Sequence, residues 1–154
     1  MSWVNPITDR TITDINTRTS KAFFNVADWI RIDGNNRELQ TLIENLLSLV
    51  VSLETLTPPT ITHFPTAEEI NALIENINRL REAACLPEAT GATALKSDYL
   101  NGNGTSAPNY EAVNAWEEVQ RLIYTLLPNA SQYKVYCGVA ATGQPRLWQA
   151  RFRG

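Results

Sequence analysis

The sequence predicts a mainly α-helical protein, a bundle or coiled-coil trunk of three main helices with a short C-terminal β-hairpin. Three observations predict it. Apolar residues recur in steps of three and four along residues 26–55, 66–85 and 110–127. The first two stretches open on helix-capping residues. Only near the C-terminus do strand-forming residues gather on both sides of a turn signal. The chain divides into an arm with a short helix (1–25), a helical region (26–128) and a tail (129–154).

In the arm, Pro6 fixes an extended entry. Thr11 and Asp14 have capping-box spacing, and the weak apolar run behind them predicts a helix of about two turns.

The longest helix is expected over 26–55. Asn25 is its N-cap, and Asp28 stands in the first turn, where the helix dipole favours a carboxylate. Its seam is Trp29, Ile32, Leu39, Ile43, Leu46, Val50 and Leu53, with Asn36 in the one missing apolar place. Heptad spacing of this kind suits pairing along a seam, within one chain or between copies. A polar residue in such a seam sets register or oligomer state, or else lies near solvent. Gly34 lowers helix propensity locally, and Thr57-Pro58-Pro59-Thr60 ends the helix.

Thr66 and Glu69 cap the next helix, expected over 66–85, with Ile70, Leu73, Ile77, Leu80 and Ala84 on its apolar face. Pro87 closes it. Residues 87–108 read as a loop, with a candidate helical turn at 94–100. The third main helix runs over 110–127 on Val113, Trp116, Val119, Ile123 and Leu126, and Pro128 with Asn129 should stop it. In the tail, 133–139 and 147–152 flank a loop holding Gly143 and Pro145, a hairpin signal. Alternation puts Trp148, Ala150 and Phe152 on its apolar face.

A shift of 41 residues lays Phe23 on Phe64, Asp28 on Glu69, Trp29 on Ile70, Ile32 on Leu73, Asn35 on Asn76 and Leu39 on Leu80. This is either a repeat or two amphipathic helices with acidic first turns that look alike.

Little in the sequence carries chemistry. The net charge of −3 argues against a nucleic-acid binder held by its overall field. Cys85 and Cys137 form no metal or redox motif; a disulfide between them stays open, beside the simpler reading of two buried thiols. The N-terminus lacks the pattern of a secretory signal, and 42–53 is too short and polar to span a bilayer, so folding in a cytoplasm is expected. His63, alone in a loop, reads as a surface or packing residue. Asn101-Gly102-Asn103-Gly104 reads as a turn, since no P-loop lysine follows. The pairs Glu68-Glu69 and Glu117-Glu118 offset helix dipoles; a hydrolase would need them to face one cleft. No catalytic, cofactor-binding or metal-ligating residue is assigned.

The residues marked for assembly or partner contact are Trp3, Trp29, Asn36, Tyr136, Trp148, Arg151 and Phe152. In the tail, basic residues alternate with rings. Sugars or single-stranded nucleic acid bind such surfaces, and a hairpin with solvated charges and buried rings gives the same pattern.

Three stretches carry a resemblance. They are Trp3-x-x-Pro6-x-Thr8-Asp9-Arg10-Thr11-x-x-Asp14 with Asn25-x-x-Asp28-Trp29-x-Arg31-Ile32-x-x-Asn35, then residues 63–71, then 137–153. Together they cover about half of the chain. They resemble small tail, baseplate or fibre-associated structural proteins of phages and prophages of Gram-positive bacteria. Ile30 departs from that pattern, which usually has Asn there. The resemblance implies a non-enzymatic virion subunit without cofactors, made in the bacterial host cytoplasm. Its partners would be other virion structural proteins and its own copies, a trimer first. The alternative is a carbohydrate- or surface-binding module using the C-terminal hairpin.

Overall fold

The computed structural model describes residues 2–22, 24–60, 62–86, 90–99 and 108–132, the side chains of 130–132 excepted. Four helices form among them: α1 (Ile12–Thr17), α2 (Val26–Leu47), α3 (Ala67–Ala84) and α4 (Tyr110–Gln132). No strand occurs among the described residues, and the expected hairpin at 133–152 lies outside them.

Local chemistry sets the helix starts. Thr11 with Asp14, Asn25 with Asp28, and Thr66 with Glu69 each close a reciprocal capping box that satisfies otherwise orphaned backbone N–H groups. Asn109 caps α4 by accepting the Ala112 N–H at 2.8 Å, a cap the sequence reading did not mark. The first three helices end without glycine. Arg18, Ser48 and Cys85 take the left-handed conformation themselves, at φ of 53°, 54° and 49°.

Three boundaries differ from expectation. α2 stops at Leu47 instead of continuing to about 55, because Ser48 turns the backbone left-handed. The chain then runs without helix or strand over 48–60. Val50 leaves the predicted seam altogether and is 75% exposed. Pro128 does not end α4, which continues to Gln132. Proline there forfeits one bond, to the Tyr124 carbonyl, and Tyr124 lies on an exposed face where water can replace it. Residues 94–99 form no helical turn.

α2, α3 and α4 pack against one another pairwise. They run parallel. Arg31 meets Glu117 and Asn36 meets Gln120, so α2 and α4 advance together. Parallel helices in one chain need long returns, which the segments after α2 and after α3 provide; the arm ahead of α2 makes a third segment of the same direction. Each segment lies antiparallel in one groove of the bundle. Residues 3–10 fill the groove between α2 and α4: Val4 meets Asn35, and Arg10 meets Asp28 and Asn114. Residues 51–54 fill the α2–α3 groove, with Val51 on Gln40, Ser52 on Arg79 and Glu54 on Asn76. Residues 91–99 fill the α3–α4 groove, with Leu95 on Asn78, and Tyr99 on both Asn71 and the Trp116 ring.

This arrangement has an internal three-fold register. The helices start at 26, 67 and 110. Aligned on those starts, the core reads Trp29, Ile70, Val113; then Ile32, Leu73, Trp116; then Asn36, Ile77, Gln120. Leu39, Leu80, Ile123 follow, and Ile43, Ala84, Leu127 close the stack. All of these except the partly buried Ile70 are buried. Each large apolar side chain so placed contributes about 1.5–3 kcal/mol. The 41-residue repeat thus has a physical basis: Asp28 and Glu69 close capping boxes, and Asn35 and Asn76 do the same work on neighbouring segments.

Candidate functional site

The densest set of titratable groups joins the arm to α2 and α4. Arg10, at the end of the extended arm, has a buried side chain. Its Nη2 donates to Asp28 Oδ1 and to Glu117 Oε1, both at 2.8 Å. Arg31, one turn beyond Asp28 on α2, grips Glu117 with two bonds of 2.8 Å, from Nε and Nη2. Its Nη2 also contacts Asp28. Glu117 Oε2 further accepts the Ile7 N–H at 2.7 Å. Two guanidinium groups and two carboxylates therefore balance inside the protein. Burial opposes the Arg31 charge more than any other single influence, yet Glu117 and Asp28 together raise its pKa above the ordinary value.

Glu117 is 0% exposed, and each of its oxygens already accepts two hydrogen bonds. Proton transfer to an outside substrate would require dismantling that set. The cluster fixes the arm against α2 and α4.

Asparagines complete the fastening. Asn35 accepts the Val4 N–H at 3.0 Å and donates to the Val4 carbonyl at 2.8 Å. Asn114 treats Arg10 in the same way, at 3.2 and 2.8 Å. Asn76 clasps Glu54, Asn78 clasps Leu95, and Asn71 clasps Tyr99, all at 2.8 to 3.0 Å. A carboxamide offers one acceptor and two donors in a plane, so it pairs with an extended residue much as a neighbouring strand would.

The residues marked for assembly are dispersed. Trp3 lies flat on Tyr124, with ring centroids 4.0 Å apart and planes at 4°. Both rings remain partly accessible, so this stack is a surface feature of the arm and α4. Trp29 is fully buried in the core of a single chain. Asn36 is equally buried, which corrects the reading that placed it near solvent; its Oδ1 accepts from Gln120 at 2.7 Å. The seam from Trp29 to Ile43 is therefore covered by α3 and α4 of the same chain. Tyr136, Trp148, Arg151 and Phe152 lie outside the described residues.

Other candidates have local partners. His63 meets Glu69 at 2.9 Å. The Thr66 backbone N–H, with His63 adding to it, holds the Glu69 carboxyl below its ordinary pKa. Glu118 pairs with Arg121, so Glu117 and Glu118 point to different surroundings and share no cleft. Among the described residues no group of three or more His, Cys, Asp or Glu side chains could hold a metal, and no helix is long and apolar enough to cross a membrane.

Apolar surface gathers where the helices start. A cleft of about 300 Å³ lies between Phe24, Val26 and Phe64, and one of about 350 Å³ between Ile12, Phe24 and Tyr110. Phe64 is 79% exposed.

Sequence reasoning missed Arg10, Arg31 and Glu117 as a group, because nothing in spacing links residue 10 to residue 117. The asparagines did leave a signal. Asn71, Asn76 and Asn78 sit in one helix, where asparagine is disfavoured without a compensating bond.

No family model, curated protein or solved structure matches the chain.

Proposed function

We propose that this chain is a non-enzymatic structural subunit of a virion, placed in a phage tail or baseplate. The observation that supports this reading best is how the buried charges are used. Arg10, Asp28, Arg31 and Glu117 together lock an extended arm into a helix groove. Such fastening suits a part that must hold its shape within an assembly. The resemblance of the Trp3–Asn35, 63–71 and 137–153 stretches to tail and baseplate proteins supplies the setting.

Contacts with neighbouring virion proteins fall on the terminal aromatics: the Trp3–Tyr124 stack and the tail residues Tyr136, Trp148, Arg151 and Phe152. A homo-oligomer, a trimer first, belongs to the same proposal. It rests on the resembled class, since the α2 seam is covered within one chain.

Co-expression with the products of adjacent genes, followed by pull-down and light scattering, tests the reading. Stable capture of a tail or baseplate protein is expected, with a solution mass above that of one chain. A monomer that captures none of these products, yet binds glycans through its tail, would replace it with the surface-binding alternative.

A further inference from the structure

Each groove of the bundle is filled, and the fillers follow a rule. The segment after α2 lies in the α2–α3 groove, and the segment after α3 lies in the α3–α4 groove. The segment after α4 is 133–154, and by the same rule it would enter the α4–α2 groove. The arm already occupies that place.

The end where the helices finish offers a different seat. Leu49 is 40% and Val50 75% exposed there, beside a cleft of about 500 Å³ that also reaches Ala83, Glu82 and Arg79, the last already engaged by Glu54 and the Ser52 carbonyl. This end is electrically negative. Three parallel helices direct their carbonyl ends to it, and the last turns of α2 and α4 contain no basic residue. Glu44 and Glu82 are exposed at the same end, and Arg81, the one base in the last turn of α3, faces Glu82 at 3.7 Å.

The chain leaves α4 at this end, since Gln132 falls level with Ser48 in the three-fold register. It continues with Lys134, Arg146, Arg151 and Arg153, no acidic residue at all, and the rings of Tyr133, Tyr136, Trp148 and Phe152. At roughly 3.3 Å per residue it is long enough to cross the bundle several times.

We propose that residues 133–154 bind back over the finishing end of their own bundle. Their rings cover Leu49 and Val50, and their cations face Glu44, Glu82 and the helix carbonyls. Tethering gives the tail an effective concentration of about millimolar, which favours its own bundle over a second copy at micromolar protein. The virion role is not needed for this; it would draw on the same tail residues only after assembly lifts them from this seat.

The two cysteines provide the probe. Cys85 caps α3 at this end, and Cys137 stands five residues past Gln132. The full chain is exposed to oxidised glutathione, and the Cys85–Cys137 disulfide is followed by peptide mapping. Formation at least tenfold faster in the folded chain than in denaturant is expected, within single chains. About 0.5 M salt, or Val50→Asp at an exposed position, should slow it severalfold with the helical circular dichroism unchanged. Equal rates in folded and denatured chains would overturn the proposal, as would a disulfide formed only between chains or a rate indifferent to both salt and Val50→Asp.

Discussion

Asn76 accepts the Glu54 backbone N–H at 2.8 Å and returns a hydrogen bond to the Glu54 carbonyl at 3.0 Å. Asn35, at the equivalent place on α2, does the same to Val4. These asparagines let an α-helix hold an extended segment without any sheet. Asn76 is 0% exposed, whereas Glu54 lies on the exposed side of the clasp. Asn76→Ala should destabilise by about 1–2 kcal/mol, from the two lost bonds of a buried carboxamide. Chemical denaturation checks this, and a change under about 0.5 kcal/mol would show that the clasp carries little.

The arm depends on a buried charge. Arg10→Met removes one of two cations facing Asp28 and Glu117 and leaves excess negative charge inside. Breaking a buried pair from one side typically costs about 3–5 kcal/mol. The exposed pair Lys21–Asp9 is the control, and Asp9→Ala should leave stability close to the parent's, since solvent screens that pair. Limited proteolysis adds a local readout. Arg10→Met should open 2–11 to cleavage well before the helices are cut. If the arm stays protected, the asparagine clasps suffice by themselves.

Much of the fold was legible because it is written locally. Thr11, Asn25 and Thr66 announce three helix starts, and the alternating three-four steps give the buried faces. The 41-residue shift aligned Asn35 with Asn76 before their shared task was visible. What was not legible is set by contacts across the chain. The end of α2 at Leu47 depends on Ser48 turning left-handed, which serine composition does not announce. The heptad spacing continued into Val50 and Leu53 although those residues had left the helix. The candidate site joins residues 10, 28, 31 and 117, and no local pattern foretells such a union.

Acid should loosen the protein. Asp14 is held below the ordinary carboxylate range first by the Thr11 hydroxyl, Glu69 by the Thr66 backbone, and Glu118 by Arg121. A depressed folded pKa contributes stability above the unfolded value, roughly 4, and loses it as pH falls through the folded value. Asp33 has the opposite sign, since burial raises its pKa against the pull of Arg37, so its protonation favours the folded state. Asp9, held down by the Lys21 ammonium, joins the first three, and four groups against one give a net loss below about pH 4. Thermal melts across pH 3–6 check it. Thr66→Ala should cost about 1 kcal/mol at neutral pH and leave most of the Glu69 part of the acid slope in place, since the backbone N–H at position 66 remains. A melting temperature that rises between pH 5 and 3 would contradict the assignment.

The last prediction concerns the one polar layer of the core. Asn36 and Gln120 share a bond of 2.7 Å at a level where α3 offers Ile77. Gln120 Nε2 also reaches the Ile32 carbonyl at 2.8 Å, while Asn36 Nδ2 and Gln120 Oε1 have no hydrogen-bond partner. Half of each amide is therefore buried at a loss. Asn36→Leu alone strands Gln120, and Gln120→Leu alone strands Asn36, so each single change should destabilise by about 1–3 kcal/mol. The double substitution removes both stranded amides and completes an apolar layer. It should equal or exceed the parent in stability, giving a favourable coupling of about 1–3 kcal/mol in a double-mutant cycle. The polar pair would then be there for specificity, fixing how α2 and α4 align in a bundle whose other layers are apolar. Amide hydrogen exchange distinguishes this. The doubly substituted protein should stay folded but show faster exchange in α2 and α4, as expected when alternative helix registers become accessible. A double variant less stable than both singles would mean that the pair itself contributes to stability.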